Sequence, residues 1–131
     1  MFMPYKNNDG ARDPYEYLPC SGITPKLGMA LALNSNGQLA IATGTTAPTY
    51  ISMFESETAV AAGTIIPVVR VNKRTIYKTT LSASGTSLKL GNKVTLHASN
   101  GMQVTATTSD GVAEIVDIID SASGGEVLVR F

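Results

Sequence analysis

One tripeptide occurs twice, as Ser35-Asn36-Gly37 and Ser99-Asn100-Gly101, each time between short runs in which apolar and polar residues alternate. A period of two marks a strand with one buried face, so each triplet reads as the turn of a β-hairpin. In the stretch Lys93 to Ala106, a two-residue Asn-Gly loop would set Leu96 opposite Thr105 and mix the two faces. A three-residue loop avoids this. With a type I turn and Gly101 in the left-handed region, Ala98 pairs with Met102, Leu96 with Val104 and Val94 with Ala106, all on one face. The same parity around the first triplet pairs Leu33 with Leu39 and Leu31 with Ile41. Around a related triplet, Ser109-Asp110-Gly111, neither loop length separates the faces because Glu114 and Asp117 interrupt them, so that register stays open.

Elsewhere the chain offers short runs of Val, Ile, Leu and Thr separated by Gly, Asn, Ser and Asp, the pattern of many short strands. Leu27-Gly28, Ala62-Gly63, Leu90-Gly91 and Gly124-Gly125 each precede an apolar run, where glycine permits a sharp corner. The runs Thr64 to Val71 and Val112 to Ile119 are apolar on both faces, which predicts cover on both sides. Pro67 lacks an N–H and predicts a sheet edge or a bulge. Only Glu55 to Ala62 could hold a turn of helix. The expected fold is all-β, a small β-barrel or sandwich of short antiparallel strands. Residues 1–25 carry Pro4, Pro14, Pro19 and Pro25 and read as an extended N-terminal arm, with residues 26–131 forming one β-barrel-like domain.

At 131 residues the chain is long enough for one core. Ten basic and ten acidic side chains leave a formal net charge of zero, which supplies no long-range attraction to nucleic acid or an anionic membrane. Charged residues are 15% of the chain, against about 25% in typical soluble domains. A surface so poor in charge suits a protein partly hidden in an assembly. The single cysteine, Cys20, cannot close an internal disulfide; a reducing compartment and a small buried role where the arm meets the domain are expected. Nothing resembles a signal peptide or a membrane-spanning segment, so synthesis in the cytoplasm is expected.

Chemistry is sparsely signalled. His97 is the only histidine and reads as a strand residue on a polar face; with one cysteine far away it is too little for a zinc site, and no nucleophile motif accompanies it. Glu114 and Asp117 are the best acid and base candidates, but residues three apart in a strand face opposite sides, so a rim or subunit contact is the simpler role. No phosphate-binding glycine loop, cofactor motif or metal-ligand set is present. Arg70, Lys73, Arg74 and Lys78 cluster around Asn72 at an expected hairpin tip, either solvated or docked on an acidic protein surface. The arm carries the stronger signal, because Tyr5, Tyr15, Tyr17 and Arg12 are residue types enriched at interface hot spots. The expected protein is not an enzyme and acts through binding surfaces, with Tyr5, Arg12, Tyr15, Tyr17, Arg70, Lys73 and Arg74 as candidate contacts. A carbohydrate-binding module would need aromatic platforms, and the strand region has no Trp and few Tyr.

The succession Gly28-Met29-Ala30-Leu31-Ala32-Leu33, Gly37-Gln38-Leu39, Pro48-Thr49-Tyr50-Ile51-Ser52 and Ala62-Gly63-Thr64-Ile65-Ile66-Pro67-Val68 resembles the small capsid decoration, or head-stabilising, proteins of tailed bacteriophages. Gly111-Val112-Ala113-Glu114-Ile115-Val116 and Val127-Leu128-Val129-Arg130-Phe131 fit the same pattern. The likeness spans roughly residues 25 to 131 and rests on glycine corners and strands, which are structural motifs. It implies a virion protein on the capsid surface, bound to the major capsid protein, commonly as a homo-trimer, with an N-terminal arm contacting the shell and no catalytic residues or cofactors. Another phage component, such as a head-completion or tail protein, is the alternative.

Overall fold

The computed structural model describes residues 1–131. It is all-β, with ten strands: β1 (Met3–Asn7), β2 (Tyr15–Pro19), β3 (Ala30–Leu33), β4 (Leu39–Ile41), β5 (Tyr50–Ser52), β6 (Ile65–Arg70), β7 (Thr75–Thr80), β8 (Lys93–Val94), β9 (Ala113–Ile118) and β10 (Glu126–Arg130). They form two five-stranded antiparallel sheets, β1-β7-β10-β9-β8 and β2-β6-β5-β3-β4. Of the two expected architectures, the sandwich fits.

Alternation along the strands builds two cores. Thr75, Tyr77 and Thr79 of β7 face inward with Val127 and Val129 of β10 and Ala113 and Ile115 of β9. They meet Ala30, Ile51 and Val69 from the second sheet in the larger apolar cluster. The opposite face of that second sheet carries Leu31, Tyr50, Ile66 and Val68 in a second cluster with Cys20, Met29 and Leu39. Its cover comes from Ile23, Phe54, Val60 and Met102. The run Thr64 to Val71 is apolar on both faces because β6 lies between these two cores.

The first Ser-Asn-Gly hairpin has the expected register, with Leu31 opposite Ile41 and Leu33 opposite Leu39, and Gly37 at φ 71°. In the second, Leu96 faces Val104 and Gly101 has φ 58°. Val94 is a correction, because Thr95 N–H bonds to Thr107 O, the ladder slips, and Val94 pairs with Ala113 across β8 and β9. At the third triplet the left-handed residue is Asp110, at φ 54°. Gly111 serves another purpose: a Cβ there would lie 2.1 Å from the Lys93 carbonyl oxygen, so only glycine lets the chain pass β8 so closely.

Several expectations are corrected. Residues 55–62 form no helix; Ser56 N–H and Val60 N–H bond to Pro25 O and Ile23 O, laying this segment over the second core. Pro67 sits inside a sheet rather than at its edge. Its carbonyl accepts from Met53 N–H just past the end of β5, so the absent N–H would have pointed where β5 has stopped. Residues 71–74 carry the chain from one sheet to the other and are not a hairpin tip. Residues 1–25 are extended, but they are paired into the body, with β1 on β7 and β2 on β6 as the edge strands of the two sheets. Phe2 is fully buried, its ring 5.2 Å from Phe131, which in turn lies 5.5 Å from Tyr77.

Candidate binding surface at the N-terminal edge

Both N-terminal strands are edge strands of their sheets, residues of both line one groove, and the segment between them crosses from one sheet to the other. Three carboxylates clip this segment down. Glu16 takes a two-pronged pair of hydrogen bonds from Arg70, 2.9 and 2.7 Å, and Arg70 also lies 4.9 Å over the Tyr50 ring. Arg74 pairs with Asp9 and lies 3.5 Å from Asp13. Asp13 further accepts from Asn72 Nδ2 at 3.0 Å and Thr75 Oγ1 at 3.2 Å. The Arg70 hydrogen bonds hold the Glu16 carboxyl below its ordinary range; the Ala11 N–H, then Arg74, do so for Asp9. Of the basic cluster, Arg70 and Arg74 are therefore engaged by the chain's own N-terminal segment, and Lys78 pairs with Glu126 at 2.9 Å. Lys73 has no ion pair and lies with Lys93, Glu114 and Arg130 around a separate hollow.

The aromatic candidates stay outside. Tyr5, Tyr15 and Tyr17 are 61%, 55% and 65% exposed, with Met3 and Ile65 also exposed. Tyr5 is the extra residue of a bulge in β1, between Pro4 opposite Tyr77 and Lys6 opposite Ile76. Tyr15 and Tyr17 are opposite Val69 and Pro67, so both point to the side of β2 that faces the other sheet. Between the two edges opens a groove of about 460 Å³. Its walls include Tyr5, Arg12 and Tyr15, and its floor holds Met53, Val69, Thr75 and Tyr77. The structure thus gathers three of the sequence candidates into one groove, leaves Tyr17 exposed outside its lining, and turns Arg70 and Arg74 to fastening the same segment.

Sequence reasoning did not find Tyr77 or Lys6. Tyr77 is fully buried, and its hydroxyl has no hydrogen-bond partner. Burial, aided by the negative charge of Asp13, pushes that hydroxyl up to about 12. The only available signal was its place between Thr75 and Thr79, a polar stripe on a buried strand face.

The catalytic candidates have structural partners. His97 Nδ1 accepts from the Ser99 N–H at 3.3 Å, inside its own turn. Glu114 lies 3.5 Å from Arg130. A bulge in β9, where Val129 faces Ile115 and Leu128 faces Asp117, reverses the parity expected for a regular strand and turns Glu114 and Asp117 to the same side. Cys20 is fully buried, and that burial raises its thiol. No three His, Cys, Asp or Glu side chains converge on a metal-sized site. The chain matches neither a protein-family model nor a curated protein.

Proposed function

We propose that this protein is a structural virion component that binds the outer surface of an assembled phage capsid and stabilises it, with no catalytic step. The observation that carries the reading is the row of exposed tyrosines on edge strands that are hydrogen-bonded into a rigid sandwich. Such aromatics contribute contact area at low entropic cost, and their preorganisation lowers it further. The resemblance to capsid decoration proteins and the zero net charge support the same reading. The partner is the major capsid protein, and a homo-trimeric arrangement would let modest contacts add up by avidity. The test adds purified protein to undecorated, expanded capsids and counts bound copies by electron microscopy. Hundreds of copies in a regular array are expected; about a dozen at one vertex would favour a head-completion role, and none would refute the proposal.

A further inference from the structure

The groove between β1 and β2 has features of a site for an extended chain. Pro67 O receives the Met53 N–H and Val71 N–H bonds to Thr49 O, so odd-numbered residues of β6 turn their backbone toward β5. The even-numbered ones turn toward β2 and meet Glu16 and Leu18. Tyr15 and Tyr17 therefore aim their backbone N–H and C=O groups away from every strand. Pro19 ends this free ladder, which limits indiscriminate edge pairing.

Two observations say what would occupy it. Lys6 and Arg12 line the groove without an ion pair, while its one lining carboxylate, Asp13, is taken by Arg74, Asn72 and Thr75. Tyr77 is one of the floor residues, and its hydroxyl lies buried beneath the groove surface, protonated at neutral pH and without a hydrogen-bond partner. It stands near Asp13 and Thr75, which also line the groove. An orphaned buried donor is costly unless a ligand oxygen meets it. We infer that the groove takes an extended, acidic segment of a partner protein, which adds as a strand to the free edge of β2, sets carboxylates against Lys6 and Arg12, and places an oxygen on Tyr77 Oη. This rests on reading the N-terminal edge as the binding surface and names the chemistry it recognises.

The test titrates the isotope-labelled full chain with a short synthetic peptide in which Glu alternates with Thr, and follows amide exchange by NMR. Exchange at Tyr15 and Tyr17 should slow, with Glu16 and Leu18 unchanged because their amides are already paired. Reversing both free charges, Lys6→Glu with Arg12→Glu, should weaken binding by about tenfold. Tyr77→Phe should also weaken it while leaving the thermal midpoint of the free protein equal or higher, since it removes an unsatisfied buried group. The inference is overturned if the response falls elsewhere, if a Lys-Thr peptide binds equally well, or if a neutral oligosaccharide occupies the groove and the peptide does not. Capsid binding without a peptide response removes this inference and leaves the capsid reading standing; a peptide response without capsid binding does the reverse.

Discussion

Tyr77 joins the stability of the sandwich to its chemistry. Its phenol is held neutral by burial, so the folded state keeps a proton that the unfolded chain releases above its ordinary value. The sign follows: this contribution is complete below pH about 10 and is lost as pH rises through about 12. Tyrosinate absorbance should show a late component near the second value, coincident with alkaline unfolding and missing in Tyr77→Phe. Gly111 is a second test at this scale. A methyl group 2.1 Å from the Lys93 carbonyl cannot be relieved by a flexible side chain, because the obstacle is backbone. Gly111→Ala should cost about 3 kcal/mol, the upper end of overpacking penalties, measured by denaturant unfolding. The sequence marked Gly111 as a turn glycine. What it hides is the close pass against β8, a contact between residues 18 positions apart.

Among the elements, β1 and β2 changed most between sequence and structure. Their tyrosines were legible by type, but their pairing was not, because the partners β7 and β6 lie some fifty to seventy residues away and Pro4, Pro14 and Pro19 obscure the alternation. The Ser35-Asn36-Gly37 hairpin was readable because its register is settled within a few residues. The bulge in β9 was not, since only β10 reveals the extra residue. Because Phe2 fills the core, Phe2→Ala should cost about 3–5 kcal/mol in thermal or denaturant unfolding. Removing residues 1–24 should accordingly destabilise the whole body. The carboxylates of Asp9 and Glu16 are depressed in the folded state, so their contribution holds above the ordinary carboxylate range and fades as pH falls through their lowered values. The protection of the Asn8 amide, whose N–H bonds to Arg74 O, measured against its intrinsic exchange rate at each pH, should therefore fall on acidification before that of the core amides.

For the whole molecule, the two cores explain how a chain with few charges and no helices holds a fixed shape. One layer packs between the sheets and a smaller one lies outside the second sheet under loops. The edge strands with their exposed tyrosines belong to that shape, so the proposed binding surface shares the hydrogen-bonded framework of the body. Replacing exposed residues should change stability by no more than about 0.5 kcal/mol. The most direct measurement is co-sedimentation of wild type and a Tyr15→Ser, Tyr17→Ser double variant with undecorated expanded capsids, paired with thermal unfolding of both proteins. The account predicts a loss of capsid affinity of about tenfold or more, as for hot-spot aromatics, with the unfolding midpoint nearly unchanged. Undiminished capsid binding by the double variant would contradict it.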